Sequence, residues 1–147
     1  MLKNSEGKYL LARRNPKKYP EVGAKWDIVG GRIHPGTSLL DNLRREIKEE
    51  VGLEYQGEPK LIAAQDILVH RYTDTADNTD SDKELSKNAI EKHVVRLTYV
   101  GNINGEPGVD DDHLEAKWFS AEEIKALGEK ELDSYFRELV EKQTIIL

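Results

Sequence analysis

The stretch Gly30-Gly31-Arg32-Ile33-His34-Pro35-Gly36-Thr37-Ser38-Leu39-Leu40-Asp41-Asn42-Leu43-Arg44-Arg45-Glu46-Ile47-Lys48-Glu49-Glu50-Val51-Gly52-Leu53 decides how the chain is read. A glycine-rich loop runs into a segment that carries three close-set glutamates and stops at a glycine. Residues 38–51 predict a helix. Thr37 or Ser38 supplies the N-cap oxygen, Asp41 stands at capping-box spacing from Ser38, and Gly52 is a natural left-handed stop. At about 100° per residue, Leu39, Leu40, Leu43, Ile47 and Val51 form one apolar stripe that must face a sheet. Glu46, Glu49 and Glu50 share a flank of that stripe at i,i+3 and i,i+4 spacing. Glu50 stands nearest the apolar edge and is expected to be the least exposed of the three. Arg45 lies beyond the glutamates, in i,i+4 reach of Glu49, while Arg44 and Lys48 fall on the solvated side.

Three carboxylates on one turn repel each other unless a cation sits among them. The plain alternative is a solvated acidic face balanced by Arg44, Arg45 and Lys48. The flanking Gly30-Gly31 and Pro35-Gly36 turns weigh against it, because a tight loop brings backbone carbonyls and amides close to the carboxylates. An oxygen-rich, semi-rigid pocket suits Mg²⁺ or Mn²⁺.

Upstream, residues 4–7 (Asn-Ser-Glu-Gly) predict a turn and residues 8–14 a strand. The implied hairpin has Met1 to Lys3 as its other arm, so its first strand is either very short or continues upstream. Residues 15–24, with Pro16, Pro20 and Gly23, read as loop, and Trp26 to Val29 as a short strand entering the Gly30-Gly31 turn. Downstream, residues 59–70 predict one strand or two, residues 72–88 a solvated loop or short helical excursion, and residues 93–100 a clear strand. Asn104-Gly105 and Pro107-Gly108 are turn signals. Residues 114–119 predict a strand, Ser120-Ala121-Glu122-Glu123 a capping box opening a helix, and Leu132, Phe136, Leu139 and Val140 a last amphipathic helix. Strands and helices mix without regular alternation, which argues for an α+β fold on a mixed sheet rather than a doubly wound parallel one.

The central stretch resembles the Nudix hydrolase box: Gly, five residues, Glu, seven residues, Arg-Glu, an apolar residue, any residue, Glu-Glu, any residue, Gly, apolar. Aligned from Gly31, the chain supplies Arg45-Glu46-Ile47, Glu49-Glu50, Gly52 and Leu53 in register. It departs at one position, where Thr37 stands in place of the first Glu. Trp26 ahead of Ile28-Val29-Gly30-Gly31 is similar to the family's run into the box. Asp112 to Ser120, followed by Glu122-Glu123-Ile124, looks like its closing strand and helix. The resemblance thus spans nearly the whole chain.

It implies a single Nudix hydrolase domain over residues 1–147, folded as an α/β/α sandwich around a central mixed β-sheet. It also implies metal-dependent hydrolysis of a nucleoside diphosphate linked to another moiety. By position, the resemblance makes Glu46, Glu49 and Glu50 ligands of Mg²⁺ or Mn²⁺, with the Gly30 carbonyl as a fourth, and gives Arg45 the task of orienting the glutamates. The general base is Glu46 by first choice and Glu115 by second. The missing Glu at Thr37 normally helps hold the box together. The plainer reading of Thr37 is an N-cap, and the later glutamates are intact.

Among other residues, Arg13 and Arg14 are candidates for phosphate contact and Tyr72 for stacking on a base. Trp26 is a weaker stacking candidate, and Trp118 reads as core. His70 and His113 read as surface or packing residues before acids or bases. Asp74 to Asp82 lack EF-hand spacing and read as solvated. The run Asp110-Asp111-Asp112 reads as a turn that adjoins Glu115 and stands within reach of the metal.

Substrate class is the least specified feature. The proline of the family's ADP-ribose hydrolases is replaced by Leu68 and Val69, and the extended coenzyme A and NADH signatures are absent. A (d)NTP-like or broad nucleotide substrate is what the resemblance leaves. Its counterpart from another class is a non-catalytic Nudix-fold module binding a nucleotide or a protein, although such a module has no need to keep three like charges together. A Nudix-fold isoprenoid diphosphate isomerase is disfavoured because that chemistry relies on cysteine.

The chain as a whole agrees with these expectations. Its 147 residues suit one domain by the prior of about 100–200 residues each. It has no cysteine, so disulfides, thiolate zinc sites and cysteine nucleophiles are excluded. The 34% charged fraction and a mean hydropathy of -0.68 mark a water-soluble composition. No apolar run approaches the roughly 20 residues of a membrane span, and Met1 to Asn4 do not begin a secretory signal. A cytoplasmic protein is expected, with no membrane partner. A net charge of -6 argues against a nucleic-acid polymer as partner and leaves a small phosphate-rich molecule, held by local cations or a metal. Monomer and homodimer both stay open.

Overall fold

The computed structural model describes residues 1–70 and 90–147. The described residues form strands β1 (Leu2–Lys3), β2 (Tyr9–Arg14), β3 (Trp26–Ile28), β4 (Lys60–His70), β5 (Ile90–Asn102) and β6 (His113–Phe119). They also form helices α1 (Leu39–Val51), α2 (Ala121–Ala126) and α3 (Ser134–Glu141). Tyr72 and the predicted acidic loop of residues 72–88 lie outside the described residues. The chain divides into two compact units, residues 1–62 with 99–147, and residues 63–98.

In the first unit β2 is the hub. Residues 9–14 pair antiparallel with β6 along one side, while β1 and β3 share the other. β1 pairs in parallel with the end of β5, Leu2 facing Gly101 and Lys3 facing Asn102. The sheet is therefore mixed, and the α+β class expected from the sequence is the one observed. β1, which covers Leu2–Lys3, is anchored by its pairing on both sides.

Alternation along β2 sorts its side chains into two layers. Leu10 and Ala12 join Leu2, Val29, Ile47, Val51, Tyr55 and Ile103 in the core beneath α1. Tyr9 and Leu11, equally buried, take the other face. The C-terminal helices and the segment between them bring the buried Ile124, Leu132, Phe136 and Leu139. Trp26 N–H donates to the Glu131 carbonyl at 2.7 Å and Asp133 N–H to the Trp26 carbonyl at 2.8 Å, which ties that region to β3. The Ser120 capping box forms as predicted. Leu132 falls outside α3, in a parallel bridge with Trp26, because Asp133 caps the helix.

Among the described residues, the second unit holds the parts of β4 and β5 that fall within 63–98, and these two strands are neighbours. Ala63 and Thr98 are buried, and His93 Nε2 lies 2.8 Å from Asp66. β5 is longer than the predicted run of 93–100, and residues 60–70 make one strand. Among the described residues no helix is long and apolar enough to cross a membrane.

The apolar stripe of α1 is narrower than its helical projection. Ile47 and Val51 are fully buried, and Leu40 and Leu43 pack against the core, but Leu39 is 44% exposed. The first residue of a helix overhangs the sheet that the next turns cover. Ile47→Ala is expected to cost about 2–5 kcal/mol of stability, and Leu39→Ala no more than about 0.5 kcal/mol. Urea midpoints measured side by side check this; equal losses would return Leu39 to the core.

Candidate active site

The site is built where the Gly30-Gly31 turn meets the flank of α1. Core packing of Ile47 and Val51 fixes the rotation of the helix, so Glu46 and Glu50 are carried to the side that faces the turn. Gly30 N–H donates to Glu50 Oε2 at 2.9 Å. Glu46 presses on Gly31 so closely that a Cβ there would run into its carboxylate oxygens. A glycine at 31 is thus a steric requirement of the glutamate's position.

Glu46 is buried, whereas Glu50 is half-buried, which reverses the expected order. The projection ranks residues by distance from the apolar stripe. It cannot foresee that Gly31 leaves a slot for Glu46, or that Arg45 closes over it. Arg45 is the brace of the site. Its Nη2 meets Glu46 Oε1, the Asn42 Oδ1 at 3.0 Å and the Arg32 carbonyl at 3.2 Å, while its Nη1 bonds Glu49 Oε2. Glu49 is more than half exposed and turned to this arginine. Among the described residues no three acidic or histidine side chains converge into a ready metal cage.

The N-cap of α1 is Ser38, whose hydroxyl accepts from Asp41 N–H at 3.1 Å. Thr37 is not the cap; its hydroxyl donates to the His34 carbonyl at 2.6 Å and closes the turn ahead of the helix. At the other end, Gly52 adopts φ 70° and donates to the Lys48 carbonyl. Gly108 and Asp110 N–H groups donate to the carbonyls of Val51 and Glu50. This brings the Asp110 carboxylate near Glu50. Asp110 Oδ1 in turn holds His113 Nδ1 at 2.7 Å, so the histidine has a specific partner.

Arg14 and Arg13 part company. Arg14 bonds the buried Asp27 at 3.0 Å and lies over Tyr19, and its charge reaches Glu50. Arg13 bonds Glu115 at 3.1 Å and the Ala24 carbonyl, and lies over the buried Trp26 together with Lys117. Glu115 pairs opposite Arg13, while its neighbour Ala116 packs into the core beneath α1. Glu115 and Arg13 are therefore on the far side of the sheet from the glutamates. Lys117 and Arg13 also hold the Glu115 carboxyl below the usual range, which weakens it as a base. Trp26 is buried against Phe119 and Trp118 lies on the core, so neither forms an open stacking platform. The His70 side chain and Tyr72 are outside the described residues.

Two members of the neighbourhood escaped the sequence reading. Asn42 is buried and bonds both His34 N–H and Arg45. A signal existed in its spacing, three residues before Arg45 and four before Glu46. Asp27 is buried as the partner of Arg14, and nothing in a single sequence joins those two. Asp110, read from the sequence as part of a turn within reach of the metal, stands near Glu50.

A model of the NUDIX domain matches residues 1–140, and the chain belongs to the Nudix family. It is 41% identical over 49 residues to the CTP pyrophosphohydrolase of Escherichia coli (strain K12). That match covers 33% of this chain and 35% of the relative, so the chain spans about a third of the length of the curated relative it matches. In fold it is similar to the MutT protein of Methanosarcina mazei Go1, with TM-score 0.70 and 24% identity over 97% of this chain and 86% of that one. It is also similar to the Nudix domain of Shewanella oneidensis NrtR complexed with ADP ribose, with TM-score 0.64 and 14% identity over 97% and 80%.

Burial, with the nearby charges of Glu46 and Asp110, pushes Glu50 up to about 8 against the opposing hydrogen bond from Gly30 and the charge of Arg14. The unfolded chain releases this proton near the ordinary carboxylate value of 4.5 and the metal-free native state only near 8. Between those values the native state binds more protons. The contribution of Glu50 to stability is therefore fully present below about pH 4.5 and is lost as pH rises to about 8. In chelator-treated protein, the Glu50→Gln variant is expected to flatten this decline. Parallel pH–stability curves for variant and wild type would remove Glu50 as its source.

Proposed function

We propose that this chain is a divalent-metal-dependent pyrophosphohydrolase. It cleaves the phosphoanhydride of a nucleoside diphosphate carrying another group, with a (d)NTP-like or broad nucleotide as substrate. The observation that carries the reading is the meeting of Glu46 and Glu50 with the Gly30-Gly31 turn. Two carboxylates are held there in a half-buried place, and one is pushed toward protonation by burial and by its acidic neighbours. A hard cation is the group that relieves such crowding, and the donors are all oxygen.

Glu46 and Glu50 would hold Mg²⁺ or Mn²⁺ with the Gly30 carbonyl, and Glu49 would join them by turning from Arg45. When bound, the ion supplies charge neutralisation for diphosphate oxygens and lowers the pKa of a coordinated water. Glu46 is the candidate base. Arg45 orients the glutamates, and Arg14, whose charge reaches Glu50, is the cation best placed to meet phosphate. Arg13 and Glu115 take no part, since they lie across the sheet. The family membership and the partial match to a CTP pyrophosphohydrolase support this reaction class.

The second reading, a nucleotide-binding module without turnover, draws on the salt bridge that keeps Glu49 on Arg45. Nucleoside triphosphates, nucleotide sugars and dinucleotides assayed with Mg²⁺ or Mn²⁺, with product identity as readout, separate the two. Hydrolysis is expected, together with a rise in melting temperature on adding metal. Glu50→Gln and Glu46→Gln are each expected to lower turnover at least about a hundredfold while the fold persists. Nucleotide binding without turnover would select the module, and full activity in Glu50→Gln would end the ligand assignment.

A further inference from the structure

Asn42 is 5% exposed and is the fourth residue of α1, in the turn that leaves the glycine-rich loop. Its side-chain oxygen accepts two bonds, from His34 N–H at 3.0 Å and from Arg45 Nη2 at 3.0 Å. One buried atom therefore joins the glycine-rich loop to the helix and to the arginine that touches both Glu46 and Glu49. The position that lacks the box glutamate, Thr37, is turned to the same loop residue, through the His34 carbonyl. The loop is thus fastened at His34 from both sides, by Thr37 at its carbonyl and by Asn42 at its amide. Asn42 extends the tie from His34 to Arg45, which also meets the loop directly at the Arg32 carbonyl. The Arg45 Nε is buried with no hydrogen-bond partner among the described residues, so its terminal nitrogens alone hold it in place.

We propose that Asn42 is the positioning residue of this site. It braces the loop against Arg45, and through Arg45 it sets Glu46 and Glu49, in place of the carboxylate absent at Thr37. The inference rests on the metal-site reading above. A residue in this role acts on affinity and geometry without touching the ion. Loss of a partner that orients ligands in this way typically weakens metal binding about 10–100-fold.

The test uses the full chain with Mn²⁺ as probe. In metal-free protein, Asn42→Ala is expected to speed amide exchange at His34 at least about tenfold. It should weaken Mn²⁺ binding about 10–100-fold and lower kcat more than it changes KM. Adding Thr37→Glu to Asn42→Ala is expected to recover most of the lost Mn²⁺ affinity, which a general loss of stability would not allow. Unchanged His34 exchange, or Mn²⁺ affinity within about twofold of wild type, overturns the proposal, as does absence of recovery in the double variant. If Asn42→Ala does not fold, Asn42→Asp keeps an acceptor oxygen at the same place. Retained His34 protection in that variant supports the brace, and lost protection overturns it. Failure of the wild type to bind Mn²⁺ would end the metal reading. The brace would then stand or fall on His34 exchange alone.

Discussion

Two carboxylates held against a two-glycine turn are the constraint around which the structure is arranged. Glu46 occupies the space that a side chain at Gly31 would fill, and Glu50 takes the amide of Gly30. The position of Glu50 is a costly one in the absence of a cation. The rise of the Glu50 pKa expresses the cost, with desolvation its largest cause and two acidic neighbours adding to it. The core supports that cost. Ile47 and Val51 lock the rotation of α1 on Leu10, Ala12 and Val29, so the helix cannot turn its glutamate flank away from the loop without repacking the layer beneath. The site is a product of the hydrophobic layer as much as of its own charges.

Much of this was legible in the sequence because it is local. A helix of thirteen residues, its serine cap, its glycine stop and the shared flank of three glutamates follow from spacing along one element. The box pattern adds the loop, and the mixed sheet follows from the irregular order of elements. What was not legible depends on register. Arg13 and Arg14 are indistinguishable in the sequence, and only the pairing of β2 with β3 and β6 puts one beside Asp27 and the other beside Glu115. A strand offers two faces, and a single sequence does not say which face meets the helix. That is why Glu115 was a reasonable base on paper and lies across the sheet in space.

The order of burial among the glutamates was missed for a different reason. The helical projection is a statement about one element in isolation. The loop breaks the symmetry, since a turn with no side chain at Gly31 admits Glu46 more deeply than the stripe alone would predict. Leu39 shows the converse: it belongs to the stripe but has no sheet beneath it. Both follow from asking what an element packs against, beyond which of its faces is apolar.

The arginine explains how Glu46 and Glu49 coexist in the ion-free state. Arg45 spends its terminal nitrogens on Glu46, Glu49, the Asn42 amide oxygen and the Arg32 carbonyl, so the positive charge is shared between ligands and scaffold. A lone Arg–Glu pair would hold its arginine only as long as the glutamate stayed. Here the two scaffold oxygens keep the guanidinium in place if Glu49 leaves it. The salt bridge to Glu49 is the most exposed of these contacts and the one least supported by burial, so it is the contact that can open at small cost. The fold thus keeps two glutamates fixed and one adjustable, with the adjustable one at the rim.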